Sequence, residues 1–566
     1  MSAAAVGQPC QHFLALAVVS CWVLARLNGK TATFRSKTMI HRLMLLLLPI
    51  GLLGCSGGST PEEEAATRAP NILFAIADDA SYPHFSAYGC KWVNTPNFDR
   101  IAEEGLLFTR AYTPNAKCAP SRSCIITGRN SWQLEEGANH WPYFPAKFKS
   151  YAEALAEQGY FVGKTGKGWA PGVALDASGR KRDLVGADYS QLKTSPPTSQ
   201  ISDNDYAGNF AAFLDQKPEG QPFCFWYGST EPHRAYEYGS GAKRTGRQPE
   251  AIAEVPAYWP DNDTVRNDML DYALEIEYFD QHLGQMLQAL EQRGLLENTL
   301  VVVTSDNGMP FPRAKANSYE IANHMPLAIR WPKGIPQPGR RVDALVSFID
   351  FAPTFLAVAG LGPAASGMSP ITGQSLLPLF EKESPNWLRD YILMGKERHD
   401  VGRPNDVGYP IRAILQDSFL LIHNLRPGRW PVGPPQTGYL ATDGGATKTQ
   451  VLDSRVEEPE APYWEWCFGK RPELELYDLR TDPDCIHNLS GEEAYRGQQQ
   501  KMEARLWEAL EAEGDPRARD EAAPFDHYLY SHEKDRGFYN RMMRGEPVEA
   551  GWVNPSDFEP DFPDRQ

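Results

Sequence analysis

From residue 69 onward, continuous apolar runs alternate with amphipathic stretches. Residues 71–78 form an apolar run ending in two carboxylates, Asp78 and Asp79, which predicts a strand buried on both faces. A helix follows over 95–105 with Pro96 at its first position, then a strand over 106–112. A short helix is expected at 121–128 and another at 149–159, where Gly159 stops it. Further strands are expected at 222–228, 299–306 and 327–331, with a long amphipathic helix over 264–294 and a helix over 348–359. This alternation predicts an α/β domain with a mostly parallel central sheet flanked by helices. In such sheets ligands bind beyond the carboxyl ends of the strands. Asp78, Asp79, Asp306 and Asn307 all stand at such ends.

After about residue 385 the pattern changes. Short apolar runs at 411–415, 419–423 and 474–477, separated by turns, predict a small antiparallel sheet, with a helix over 498–513 packed on it. The last stretch is rich in proline, charge and aromatics. It is expected to wrap the surface or to be partly disordered.

Long apolar runs occur only in the first 55 residues, which excludes a polytopic membrane protein. Residues 39–55 have a basic start, an apolar core of about a dozen residues, and then Leu52-Leu53-Gly54-Cys55. The ending resembles a bacterial lipobox, which would make Cys55 a lipidation site and the chain a periplasmic or cell-surface lipoprotein. An ordinary cleaved signal or an uncleaved anchor is the plainer alternative. A second apolar run at 13–25 suggests that translation starts at Met39. The expected organisation is an export signal at 1–55, a flexible tether at 56–68, a catalytic domain at 69–385, an antiparallel-sheet subdomain at 386–515 and a tail at 516–566.

The 566-residue chain carries a net charge of −16, and losing the five basic residues of 1–54 takes it to −21. This balance argues against nonspecific nucleic-acid binding, which needs basic surface to neutralise phosphates. An anionic small substrate is not excluded, because a few focused cations suffice to bind it. The nine cysteines show no CxxC metal pattern. Cys467 and Cys485 are a candidate disulfide, whereas Cys90, Cys124 and Cys224 read as small buried apolar residues.

Four clusters carry chemistry. Asp78-Asp79 and Asp306-Asn307 are oxygen-ligand pairs suited to a hard cation. Each alone is more often a loop or capping feature. Cys118 opens Cys-Ala-Pro-Ser-Arg122, continuing to Thr127-Gly128. A cysteine at a helix start with an arginine four residues on sits in a positive field. Lys167, His233 and Lys315 are single cations, each ordinarily a solvated residue.

Cys-x-Pro-x-Arg followed by Thr-Gly, together with this cation set, resembles the signature of the sulfatase family. The likeness covers most of 69–385. It extends to Tyr477-Asp-Leu-Arg-Thr-Asp-Pro-Asp484 and Asn488-Leu489 in the C-terminal part. Ser305-Asp-Asn-Gly-Met-Pro-Phe-Pro312, Pro232-His-Arg234 and Tyr409-Pro-Ile-Arg412 resemble the heparan N-sulfatase branch. The resemblance implies an alkaline-phosphatase-like fold and an enzyme that removes sulfate from a sulfated saccharide. It implies that Cys118 is oxidised to Cα-formylglycine by a formylglycine-generating enzyme. One hydroxyl of the hydrated aldehyde would attack sulfur and displace the alcohol or amine; the other would then lose its proton and expel sulfate, regenerating the aldehyde. Asp78, Asp79, Asp306, Asn307 and the modified Cys118 would bind one divalent metal, Ca²⁺ in this family. Arg122 would hold the modified residue, Lys167 and Lys315 the sulfate oxygens, and His233 or Lys315 would protonate the leaving group.

One departure stands out. Many relatives carry a histidine two residues after the lysine, but here Gly166-Lys167-Gly168 is followed by Trp169. His140 is a candidate substitute base, although a substrate-pocket role fits it better. His399, Arg403 and Arg412 are candidates to read the sugar. Two other readings compete: a phosphodiester or phosphonate monoester hydrolase of the same superfamily, and a non-catalytic sugar-binding lipoprotein with Cys118 unmodified.

Overall fold

The computed structural model describes residues 69–381, 387–519 and 524–562. The expected signal, Cys55 and the tether lie outside the described residues. Among those described, no helix is long and apolar enough to cross a membrane.

Fifteen strands are present among the described residues. In chain order they are β1 (Asn71–Ala77), β2 (Leu106–Tyr112), β3 (Tyr143–Phe144), β4 (Phe161–Gly166), β5 (Val173–Ala174), β6 (Ala187–Asp188), β7 (Phe223–Gly228), β8 (Thr299–Ser305), β9 (His324–Arg330), β10 (Arg340–Val342), β11 (Val346–Ser347), β12 (Tyr391–Lys396), β13 (Ile411–Gln416), β14 (Phe419–Asn424) and β15 (Leu474–Asp478). The large sheet runs β10-β2-β9-β8-β1-β7-β4-β6, with β11 added beside β2. From β6 to β8 every pairing is parallel; β9 lies antiparallel to both of its neighbours. This is the mostly parallel sheet that the apolar runs predict.

β1 is central and all seven of its residues are buried. Its side chains alternate between two cores, as the period of two requires. Leu73, Ala75 and Ala77 join Phe225, Val301 and Val303 on one face. Ile72, Phe74 and Ile76 join Trp226, Leu300 and Val302 on the other. The long helix Asp263–Gln292 covers the first face through Val265, Met269, Tyr272 and Phe279, and the Asn262 side chain caps its start by accepting from the Val265 N–H at 3.1 Å. The register pairs Ala77 with Ser305, so the next residues along the two strands are Asp78 and Asp306.

The helix Cys118–Thr127 is three residues longer at its start than expected, and all ten of its residues are buried. It therefore has no polar face for a periodicity reading to find. It ends at Gly128, whose φ of 68° is left-handed and where a Cβ would meet Ile371 at 2.8 Å.

The second sheet, β12-β13-β14-β15, is antiparallel throughout. The helix Arg496–Ala512 packs on it through Met502, Leu506 and Leu510. Trp132 of the large domain joins the same cluster. β12 was not among the expected strands.

Two expectations are corrected here. Cys467 and Cys485 are not bonded to each other; both are free and buried. Cys467 sits in the core of the large sheet and Cys485 under the second sheet. Arg412 does not line the cavity at Cys118. It is wholly buried on β13, where Nε and Nη2 engage Asp515 at 2.5 and 3.0 Å and Nη2 engages Glu397 at 2.8 Å. Arg403 likewise pairs with Asp400 at 2.8 Å and donates to the carbonyls of Trp430 and Pro431.

Asp515→Ala leaves the Arg412 charge short of its main partner in a fully buried setting. It should cost about 3–5 kcal/mol, measured by denaturant unfolding. A loss near zero would show the pair to be dispensable.

Candidate functional site

Four neighbouring strand ends deliver the polar groups. Asp78 and Asp79 follow β1, Asp306 and Asn307 follow β8, Lys167 follows β4, and His233 lies five residues beyond β7. Asp79 takes a left-handed φ of 75°, which suits a short polar side chain at a sharp strand exit. Its backbone N–H donates to Asp306 Oδ1 at 3.1 Å, tying the two ends together.

Carboxylate oxygens of Asp78, Asp79 and Asp306 lie within 4.8 Å of one another, and all three side chains are buried. Three cations offset the repulsion. Arg122 Nε donates to Asp306 Oδ2 at 2.7 Å, and its Nη1 donates to the carbonyls of Lys167 and Gly168 at 2.8 Å each. Lys167 Nζ donates to Asp78 at 2.5 and 2.7 Å. Lys315 Nζ bridges Asp79 Oδ2 at 2.6 Å and Asp443 Oδ2 at 2.8 Å. Burial works to raise the Asp78 carboxyl, but Lys167 and Arg122 carry it below its ordinary value. Asp306 goes the other way: burial raises it despite Arg122. Asp443 is held well below the carboxylate range by Lys315, against its burial.

Cys118 heads its helix at the cavity floor, with Sγ 3.8 Å from Asp79 Oδ1. Burial, with Asp78 close by, pushes the thiol up to about 12, although Lys167 and Lys315 oppose the shift. Burial thus outweighs the positive field expected at this helix start. His233 Nδ1 lies 2.6 Å from the Arg234 carbonyl, to which it donates as Nδ1–H. That leaves Nε2 on the other side of the ring, 3.8 Å from Asp79 Oδ2.

The cavity above Cys118 has a volume of about 280 Å³. Lys167, His233, Lys315, His140 and His399 line it, together with three groups the sequence reading missed: Lys117, Asp400 and Asp443. Arg403 and Arg412 are not among the lining residues. Tyr530 and Trp552, from the last fifty residues, complete the wall. A larger cavity, about 820 Å³, lies between Trp430, Trp464 and Phe562, but none of the strand-end carboxylates reaches it, so size does not mark the chemistry.

Trp169 is accounted for. Its Nε1 donates to Ser123 Oγ at 2.9 Å and its ring packs on Phe144, centroids 5.1 Å apart, so it braces the Cys118 helix. Besides His233, two further imidazoles reach the cavity, His140 and His399. Burial, reinforced by Lys117 for His140 and by Lys396 and Lys117 for His399, holds both well below the ordinary histidine value, so both are neutral. Neither Lys117 nor Asp443 had a sequence signal beyond being a single charged residue.

The strand-end cluster suits a hard divalent cation. Its donors are oxygens, three of them from carboxylates crowded at two adjacent strand ends. The Asn307 amide donates to Asp79 Oδ1 at 2.7 Å and to the Gly308 carbonyl, which leaves its Oδ1 buried without a partner. An orphaned buried carbonyl oxygen beside three carboxylates is what a cation site offers before it is filled.

Residues 70–361 match the family model described as Sulfatase. Residues 314–424 match that of the C-terminal region of N-sulphoglucosamine sulphohydrolase. The chain is 28% identical over 499 residues to an ulvan-active sulfatase of Formosa agariphila, covering 81% of this chain and 77% of that one. It is 28% identical over 456 residues to the human N-sulphoglucosamine sulphohydrolase, covering 75% of this chain and 86% of that one. A structure solved with its substrate D-glucosamine-2-N,6-O-disulfate superposes with a TM-score of 0.54 at 22% identity, over 80% of this chain and 100% of that one.

Calcium added to chelator-treated protein should raise the melting temperature. At a hundredfold excess over Kd the stabilisation should be about 2.7 kcal/mol. Asn307→Ala, which removes one oxygen and no charge, should shift the response to higher calcium. A melting curve indifferent to calcium, magnesium and manganese alike would count against a cation site.

Proposed function

Since the chain belongs to the sulfatase family, shown by a family match spanning more than half its length, we propose that it hydrolyses a sulfate ester or sulfamate of a sulfated sugar in the cavity above Cys118. The observation that carries this reading is the convergence of Lys167, His233 and Lys315 around Cys118 at the ends of adjacent parallel strands.

The finer reading has four parts. Cys118 is converted to Cα-formylglycine by a maturation enzyme. Asp78, Asp79, Asp306 and Asn307 hold the metal, Ca²⁺ by its oxygen donors. The substrate is an amino sugar bearing N- or O-sulfate, in keeping with the C-terminal match to the sulphoglucosamine hydrolase. The protein is exported and anchored by lipid at Cys55.

The bound cation would supply fixed positive charge against a developing anion, and the aldehyde hydrate of residue 118 would supply the nucleophilic hydroxyl. The chain's own residues do the rest. Lys167 and Lys315 present ammonium groups to the sulfate oxygens, and each is pinned by a carboxylate, so neither has to reorganise as charge develops. Arg122 is locked by Asp306 and two carbonyls, so it neutralises the floor without moving. His233, with Nδ1–H donated to a carbonyl, has Nε2 available to give a proton to the leaving oxygen or nitrogen. The neutral imidazoles of His140 and His399 add hydrogen-bonding capacity without adding charge.

Protein produced with a formylglycine-generating enzyme should release sulfate from N-sulfoglucosamine, from 6-O-sulfo-N-acetylglucosamine or from sulfated algal oligosaccharides. Cys118→Ser should be nearly inactive. His233→Asn should lower kcat by about 10²- to 10⁴-fold. No release from any of these sugars, with residue 118 shown by mass to be the aldehyde, would refute the sulfatase reading and favour a phosphodiester or phosphonate substrate.

A further inference from the structure

Three lysines line the cavity, and they differ in how their charge is met. Lys167 rests on Asp78, and Lys315 rests on Asp79 and Asp443. Lys117 is only 4% exposed, yet its ammonium donates a single hydrogen bond, to the Ala441 carbonyl at 3.1 Å, and has no ion pair among the described residues. An ammonium carries three donors, and a buried cation without a counter-charge is costly. Lys117 therefore lacks an anion. Asp443, a carboxylate on the same wall whose charge Lys117 feels, is already engaged by Lys315.

Lys117 is a separate group from the two paired lysines. It precedes the Cys118 helix in an extended conformation, φ −154° and ψ 143°. Its ammonium is drawn toward Ala441, on the C-terminal side of the cavity, and its charge is felt by both His140 and His399.

The His399 ring has one fixed tautomer. Asn115 Nδ2 donates to Ser131 Oγ at 3.2 Å, so Asn115 Oδ1 is the acceptor facing His399 Nε2 at 2.8 Å. His399 is thus protonated on Nε2. Its Nδ1 is a lone-pair acceptor, buried and without a partner, on a residue that is 2% exposed and lines the cavity. One wall therefore presents an unmatched cation and an unmatched acceptor.

We propose that Lys117 and His399 form a second subsite in this cavity, which takes a second sulfate on the sugar that carries the scissile one. Lys117 holds that sulfate, and His399 Nδ1 accepts from an adjacent hydroxyl or N–H of the ring. The inference rests on the sulfated-sugar reading above and narrows it to sugars bearing two anionic groups.

Binding tests it separately from turnover. Calorimetric affinities of Cys118→Ala protein, in calcium, are compared for D-glucosamine-2-N,6-O-disulfate, N-sulfoglucosamine and glucosamine 6-O-sulfate. The disulfate should bind about tenfold more tightly than either monosulfate. Adding Lys117→Gln in the same background should erase most of that difference. Equal affinities for all three sugars in the Cys118→Ala protein would overturn the proposal without any reliance on the second variant. A preference that survives Lys117→Gln would overturn it as well. If the disulfate preference and its loss are both seen but the matured enzyme releases sulfate from none of the three, the subsite stands and the sulfatase reading falls.

Discussion

Three carboxylates buried within 4.8 Å of each other at the ends of two paired strands set the terms for the whole active region. The register of β1 on β8 makes Asp78 and Asp306 lateral neighbours, and the left-handed turn at Asp79 folds the third carboxylate back onto them. Such a cluster is untenable alone. Arg122, Lys167 and Lys315 come from three other parts of the chain to meet it, and an orphaned Asn307 oxygen completes a set suited to a cation. Two of the cations that hold the cluster together, Lys167 and Lys315, also line the cavity.

The C-terminal region matters to the site as much as to the fold. β12–β15 anchor the segment that carries His399 and Asp400 across to the cavity, and Asp443 reaches Lys315 from a loop between β14 and β15. Tyr530 and Trp552 close the wall from farther still. The carboxylate floor is built from the parallel sheet, whereas much of the cavity wall is built from the C-terminal part.

Trp169 shows how one departure from a family pattern is absorbed. An indole replaces an imidazole, and it turns away to bond Ser123 and pack on Phe144. The cavity still presents two neutral imidazoles, from His140 and His399, which approach from other directions.

The amino-acid sequence alone determined the α/β alternation, the strand ends that carry Asp78, Asp79, Asp306 and Asn307, and the Cys118 signature. Those features are local. A strand buried on both faces must be an unbroken apolar run, and its polar residues must wait for the end. The long helix and the three strands of the second sheet were legible for the same reason. The start of the Cys118 helix was not, because a helix buried on every side has no amphipathic stripe. Tertiary structure alone decided that Lys117 and Asp443 line the cavity, that Arg412 and Arg403 are ion-paired elsewhere, and that Cys467 and Cys485 lie in different cores. A lone charged residue looks the same in sequence whether it faces solvent, a buried partner or a ligand. Only the groups that long-range folding brings beside it decide its charge state and its role.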